Sequence, residues 1–363
     1  MSSIFDVAEL AGVSISTVSN VLTKKRYVSP ELARRVEEAA KKLSYEANPI
    51  ARSMKNPKTG TIGVISEDMT GVFYPYILKG INSVALEKGY QVVIGDTQGM
   101  TGNADAFKRE KQMFRRLIAN RVDGIIFFSS VPGESSSEYI TDLKKTANLY
   151  KRTPLVSLER DFTDYGIDSV IFDGYNNTRV AIQHLIDVGC RKICHITGPV
   201  GMDIVMERQR GFRDGLLENG LDPDLEAVTA NGDFTHQSGY VAMKQLLERV
   251  PDMDGVFCDN DQMAVGALKV LKAAGKRVPE EIRLMGYDDV FLASVVEPSL
   301  STIHIQKRHA GIEAAKMLFS RIEEGDREED AAGSVIGHKM AGNLVVRRST
   351  VADSPEDWNL VDW

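Results

Sequence analysis

From Thr61 onward the chain alternates short, continuously apolar runs with longer helical patterns, and this alternation restricts the possible fold more than any other feature. The runs are TIGVIS (61–66), QVVIGD (91–96), GIIFF (124–128) and LVSLE (155–159), then KICHIT (192–197), GVFCD (255–259) and RLMGYD (283–288). Between them the spacing predicts helices over 74–88, 104–120, 136–150, 176–188, 204–219, 235–249 and 260–274. Strands that are apolar along their whole length are buried on both faces, which is the pattern of parallel sheets covered by helices. The amount of chain suits two such sheets. The expected core is therefore α/β, made of two doubly wound parallel-sheet lobes.

In open parallel sheets, ligands bind beyond the carboxyl ends of the strands. That rule nominates Glu67/Asp68, Glu159/Arg160, Asp259 to Asp261 and Asp288/Asp289. Two facing lobes would gather them around one cleft. Carboxylates, an amide and an arginine beside aromatic faces suit a neutral, hydroxyl-rich ligand, because fork-shaped groups bond adjacent hydroxyls in pairs and rings stack on the apolar face.

The first sixty residues follow another pattern. Ile4–Leu22 reads IFDVAELAGVSISTVSNVL, two short apolar segments of helical spacing broken by Gly-Val-Ser. Val7, Leu10 and Ala11 fall on one face, and Val18, Val21 and Leu22 on another. Ser3 with Asp6 is a capping-box signature, Gly12 suits the helix end, and Ser14 caps a second helix over about 15–22. Ser29 as cap with Pro30 and Glu31 starts a third, whose inward stripe is Leu32, Val36, Ala39, Ala40 and Leu43. Three short helices with a glycine turn between the first two form a helix-turn-helix. Ile15, Ser16, Ser19 and Asn20 then face outward near the start of the second helix, where such a helix meets base edges. An Asn can bond adenine bidentately and an aliphatic group can touch a thymine methyl. Lys24, Lys25 and Arg26 follow as phosphate partners. The charge distribution agrees: residues 1–60 hold ten Lys/Arg against six Asp/Glu, or +4, so within a total of −7 the rest of the chain sums to −11. A solvated face on a small helical bundle is the plainer reading of the same pattern.

Asn48 and Pro49 form a further cap and first-position pair, so a helix of two turns can run to Lys55, with Pro57 and Gly60 marking a linker. A helix so short needs docking to form. Met54 beside Arg52 and Lys55 then suits a minor-groove wedge; otherwise the segment is a plain linker.

Other functions find little support. No apolar run reaches the ~18 residues of a membrane span, and the N-terminus lacks the pattern of a secretory signal. The three cysteines, Cys190, Cys194 and Cys258, fit a reducing compartment and make no disulfide framework. A cytoplasmic location without membrane contact is expected. The Gly-rich dinucleotide and phosphate motifs and the nucleophile elbow of hydrolases are missing, so no enzyme and no cofactor is expected. In CRKICH (190–195) the cysteines read as structural, and no metal site is expected.

DVAELAGVSISTVSNVL and VSPELARRVEEAAKKLSYEANPIARSM closely resemble, without gaps over residues 4–55, the DNA-binding head of the LacI-type (lactose repressor and purine repressor) family of bacterial transcriptional regulators. The resemblance implies a homodimer on a near-palindromic double-stranded operator, with the second helix in the major groove and paired hinge helices in the minor groove. The DNA contacts it points to are Ile15, Ser16, Thr17, Ser19, Asn20 and Arg26 in the head, and Ala51, Met54 and Lys55 in the hinge. Asn20 stands where arginine is common, Ala47 replaces a proline, and Met54 replaces the family's leucine wedge.

The same resemblance extends to the core, which looks like the family's two lobes, related to periplasmic sugar-binding proteins and crossed by the chain three times. It implies the organisation 1–46 head, 47–60 hinge helix and linker, 61–350 effector-binding and dimerisation core, and 351–363 tail. Lobe 1 is expected over about 61–160 and 291–321, and lobe 2 over about 162–289 and 323–350, with crossings near 161, 290 and 322. Carried over by position, the effector contacts are Phe73, Tyr74, Glu159, Arg160, Arg208, Phe234, Asn260 and Asp288, with Glu159 where aspartate is common. Read structurally, Asn260 and Asp261 could cap the helix they begin, Phe73 and Tyr74 could be core, and Arg208 with Asp288 could be an interlobe ion pair. The implied function is a ligand-responsive repressor of carbohydrate-utilisation genes, with a sugar or sugar phosphate as effector; a purine- or nucleoside-responsive regulator, and a ligand receptor without operator function, are the alternatives. The tail lacks leucine heptads, so a dimer is expected; Trp358 and Trp363 receive no role.

Overall fold

The computed structural model describes residues 3–23, 26–45, 58–98, 104–129, 136–150, 152–222, 224–325 and 334–355. The expected hinge helix with Ala51, Met54 and Lys55, and the two tail tryptophans, lie outside them. The chain forms two compact units, Met1–Thr59 and Gly60–Trp363.

In the first unit, α1 (Ile4–Ala11) begins at the expected capping box: the Ser3 N–H donates to the Asp6 carboxylate at 2.7 Å, and the Asp6 N–H to Ser3 Oγ at 3.3 Å. Gly12 ends it at φ 62°, in the left-handed region. Ser14 Oγ then accepts the Thr17 N–H at 3.1 Å and opens α2 (Ile15–Thr23). The two helices are bent by 103° to one another, inside the helix-turn-helix range. At the start of α3 (Pro30–Lys42), Ser29 holds the cap position but its hydroxyl makes no capping bond. The core is Val7, Ala8, Ala11, Val18, Val36, Ala39 and Ala40, with Val21, Leu22 and Leu43 packed on it. Leu10 is 46% exposed instead of buried, because Ala8 completes the inward face with Val7 and Ala11. Arg35 on α3 donates to the Ala11 carbonyl at 2.6 Å, satisfying a free carbonyl at the end of α1.

The second unit carries β1 (Thr61–Ser66), β2 (Gln91–Asp96), β3 (Ile125–Phe127), β4 (Leu155–Leu158) and β5 (Asp168–Phe172). Next come β6 (Ile193–Thr197), β7 (Thr229–Asn231), β8 (Gly255–Cys258) and β9 (Arg283–Met285), then β10 (Thr302–His304), β11 (Gly337–Met340) and β12 (Asn343–Val345). The first sheet runs β11-β5-β4-β3-β1-β2 and the second β7-β6-β8-β9, and every pairing in both is parallel. β10 and β12 form a separate antiparallel pair. Each of the seven expected helices is present, for example Tyr74–Glu87, Asp203–Glu218 and Asp261–Ala273. Helix Lys307–Glu324 and strands β5, β7 and β10 to β12 are additional to the sequence expectation.

These extra elements move every crossing between lobes. β5 pairs with β4, Ser169 opposite Ser157, so the first crossing follows Phe172 rather than 161. Leu300, Ile303 and Ile305 belong to the second lobe's core, so the second crossing is at Gln306 rather than 290. β11 joins β5 in the first sheet while β12 joins β10, which puts the third between Met340 and Asn343 rather than at 322. In each case one more hydrogen-bonded strand keeps the chain in its lobe.

Helix Lys307–Glu324 lies on helix Tyr74–Glu87 backbone to backbone. A Cβ on Gly311 would sit 2.1 Å from the Ile77 carbonyl oxygen, and one on Gly80 would sit 2.0 Å from that of Arg308. Gly311→Ala must separate the helices, and a cost of about 1–3 kcal/mol is expected, the range of overpacked cores. Lys316→Ala, on the exposed side of the same helix, should change stability by less than about 0.5 kcal/mol. Thermal unfolding followed by circular dichroism compares the two; equal melting would contradict the close packing.

Candidate functional site

A cavity of about 460 Å³ lies between the carboxyl ends of the two sheets. Glu67 and Asp68 follow β1, Asp96 ends β2, Ser129 follows β3, and Glu159 and Arg160 follow β4; Phe73 and Tyr74 open the first core helix. From the other lobe come Asp203 and Arg208 on the helix after β6, Asp233 and Phe234 after β7, Asn260 after β8 and Asp288 after β9. All eight residues nominated as effector contacts thus line one cavity.

Asp259, Asp261 and Asp289, nominated by the strand-end rule, point elsewhere. Asp259 bonds His195 Nε2 at 2.7 Å and the Gly198 N–H at 2.8 Å. Asp261 accepts from the Val290 N–H and the Thr302 hydroxyl, at 2.8 and 2.7 Å. Asp289 meets His304 at 2.9 Å and Arg347 at 2.7 Å. Each fixes a loop from behind.

Arg208 is buried, and its guanidinium lies 4.0 Å from the centre of the Tyr287 ring while Nη1 donates to the Asp259 carbonyl at 2.5 Å. Its Nε has no hydrogen-bond partner among the described residues. Arg208 and Asp288 both belong to the second lobe, so they are not an interlobe ion pair. That role falls to Arg160, whose guanidinium meets the Asp203 carboxylate at 2.5 Å and Ser136 Oγ at 2.9 Å. Asn260 does two things at once: its Oδ1 accepts the Met263 N–H at 2.9 Å as a helix cap, and its Nδ2 donates to the Phe234 carbonyl at 2.9 Å. Phe73 and Tyr74 meet edge to face at 5.1 Å, and Tyr74 meets Phe128 at 4.9 Å, so the cavity-lining aromatics are also packed on the core.

Four lining residues, Gln98, Glu159, Phe234 and Asp288, have positive φ (47°, 74°, 69° and 100°) although none is glycine. Such backbone costs energy and concentrates at functional sites. Electrostatics add to the strain. Burial pushes the Glu159 carboxyl up to about 8, with repulsion from Glu67 and Asp288 adding to the effect and Arg208 and the Tyr74 hydroxyl opposing it. Burial likewise lifts Asp288 to about 7, against the pull of Arg208 and Lys307.

The sequence reading missed Asp96, Ser129, Asp203 and Asp233. Asp96 and Ser129 obey the same strand-end rule and could have been found by applying it to β2 and β3. Asp203 and Asp233 stand in loop-to-helix junctions with no apolar marker.

On the head, Ile15 is 40% exposed, Ser16 and Arg26 are exposed, and Thr17, Ser19 and Asn20 are half-buried. Ser14 Oγ lies 2.8 Å from Ser16 Oγ and 2.9 Å from Thr17 Oγ1, which fixes both hydroxyls at the start of α2.

Comparison with known proteins agrees with both parts. Residues 3–48 match the family model of bacterial regulatory proteins of the lacI family, and residues 182–350 match that of the periplasmic binding protein-like domain. The ribose operon repressor of Escherichia coli strain K12 is 35% identical over 89% of this chain and 94% of its own length. The chain belongs to the LacI family. The repressor PurR of Edwardsiella ictaluri is 33% identical over 98% of both chains. A crystal structure of the lac repressor dimer bound to operator and the anti-inducer ONPF superposes with a TM-score of 0.83 at 26% identity, covering 96% of this chain and 99% of that one. Like other members of the LacI family, this chain joins a helix-turn-helix to a two-lobed α/β core, and it is a DNA-binding transcriptional regulator. Among the described residues no single helix is long and apolar enough to cross a membrane.

Glu159 and Asp288 make the ligand-free protein pH-sensitive in a stated direction. Their folded values, about 8 and about 7, lie above the ordinary 4.5 and 3.8. Between those limits the native state holds protons that the unfolded chain has released, so stability falls as pH rises through the window. The melting temperature is expected to drop from pH 5 to pH 8, and the drop should shrink in Glu159→Gln and Asp288→Asn. An unchanged slope in both variants would remove these groups from the account.

Proposed function

We propose that the protein represses transcription from a palindromic operator as a homodimer, in the cytoplasm, and that a small molecule in the interlobe cavity switches it. The observation that carries this reading is the convergence of all eight nominated contacts on one cavity, in a chain that also bears a helix-turn-helix. Ile15, Ser16, Thr17, Ser19 and Asn20 read the major groove and Arg26 a phosphate. Ala51, Met54 and Lys55 belong to a hinge helix that docks in the minor groove.

A ligand shifts the operator equilibrium only by its differential affinity for two arrangements of the lobes. Arg160 and Asp203 meet across the cleft, so a ligand that changes their separation changes the angle between lobes and the spacing of the two heads. The hinge helix forms only when its symmetry mate is near, which converts spacing into DNA affinity. A polyol is the first reading for the ligand because Arg208, Asn260, Glu159 and Asp288 offer paired donors and acceptors beside rings. A purine is the second, supported by the similarity to purine repressors.

Selection of bound duplexes from a random library, with and without a panel of sugars and nucleosides, tests the whole reading. It should recover a palindrome of two half-sites and a ligand that alters recovery; no motif under any condition would leave only a ligand receptor. Asn20→Ala should weaken operator binding by about tenfold or more, the worth of one bidentate base contact. Arg208→Ala should leave operator binding intact and abolish the ligand response, as read by fluorescence anisotropy of labelled operator. Loss of both activities in either variant would contradict the division of labour.

A further inference from the structure

The cavity is strongly lopsided in charge: seven carboxyl groups line it against two guanidinium groups. Neither guanidinium is idle. Arg160 is held by Asp203 and Ser136, and Arg208 donates to the Asp259 carbonyl above the Tyr287 ring. Several carboxyls are also engaged locally, as when Asp68 accepts from Thr70 and Gly71, and Asp233 from Thr235.

Asp288 is different. It is 7% exposed and lines the cavity, yet its carboxylate accepts no hydrogen bond from any described residue. A buried carboxyl without a hydrogen-bond donor is costly, a cost that the nearby Arg208 and Lys307 cations offset only in part and that a ligand can offset further. Across the cleft stands Glu159, whose charge Asp288 disfavours. Phe73, Tyr74 and Phe234 line the same cavity, and aromatic faces attract cations.

We propose that the effector carries a protonated amine, held between Glu159 of the first lobe and Asp288 of the second beside the Phe73, Tyr74 and Phe234 rings, and that phosphorylated ligands are excluded. The ligand class is an amino-substituted polyol. The inference rests on the effector reading above and narrows it. A phosphate would add negative charge to a cavity lined by seven carboxyl groups and two guanidinium groups, one of them already paired with Asp203. An ammonium favours the ionised form of both carboxyls, which burial otherwise keeps protonated, and bridges one lobe to the other. The raised values of both carboxyls, about 8 and about 7, reflect the burial and negative neighbours that a cation would offset.

The test is isothermal titration of the full-length protein with matched sets: D-glucose, D-glucosamine and glucose 6-phosphate, and the corresponding galactose set. The amine of at least one set should bind about tenfold tighter than its neutral parent, and the phosphate more weakly than the parent. Asp288→Asn should erase the preference, with Glu159→Gln as the second variant if Asp288→Asn fails to fold. A phosphate bound as tightly as its parent, an amine without advantage, or no bound amine in either set would each overturn the proposal. The operator selection with neutral sugars and nucleosides separates the two ideas: a neutral ligand active there, with no amine bound, removes the amine and leaves the effector reading standing.

Discussion

Parallel pairing decides where this core can hold a ligand. Because neighbouring strands in each sheet run the same way, the chain leaves every strand at the same edge, and the loops after β1 to β4 and after β6 to β9 meet around one space. To turn from strand into cavity wall the backbone bends sharply, which puts Glu159, Phe234 and Asp288 at positive φ. Strain of this kind costs of order 1–3 kcal/mol per residue and persists only where the surroundings fix it. They do so here. The Glu159 N–H donates to the Val170 carbonyl at 2.8 Å, the Asp288 N–H to that of Ile303 at 3.0 Å, and Asn260 clasps the Phe234 carbonyl.

Adjacent residues in these loops divide their tasks. Asp259 and Asp261 turn inward to His195, Gly198, Val290 and Thr302, while Asn260 between them faces the cavity. Asp289 anchors to His304 and Arg347, and its neighbour Asp288 faces the cavity. The Lys307 ammonium, 3% exposed at the start of a first-lobe helix, donates to the carbonyls of Asp288 and Asp289. The wall bearing Asp288 is therefore tied by its backbone to the opposite lobe at a crossing. Under the function proposed above, a ligand bound at Asp288 would act beside that crossing.

The fold was legible where sequence period and burial coincide. The seven expected helices have one buried and one solvated face, and the expected strands are apolar runs, so periodicity found them. It failed for helix Lys307–Glu324 because the first half of its buried stripe is made of small residues, Ala310, Gly311, Ala314 and Ala315, which give a weak apolar signal. It failed for β5 and β11 because they carry little apolar run, Val170 to Phe172 in β5 and Met340 alone in β11, and each gains its place from a neighbour's hydrogen bonds, as when Val170 pairs with both Leu158 and His338. The lobe boundaries inherited those omissions. For the site, the strand-end rule located the cavity, but it could not separate Asp288 from Asp289 or foresee that Asp203 would hold Arg160. Those outcomes depend on partners distant in sequence, such as Arg347 and His304.

Charge sets the remaining constraint on how such a protein reads DNA. With +4 on residues 1–60 and −11 on the rest, the body contributes repulsion toward a polyanion, and attraction is confined to the head. Non-specific DNA binding, which draws on the count of phosphates neutralised, is correspondingly limited. In the operator complex proposed above, affinity therefore has to come from the head. A regulator built this way needs no change in charge to be switched off. In the proposed dimer, changing the spacing of the two heads would suffice, because the net positive charge lies in the heads alone.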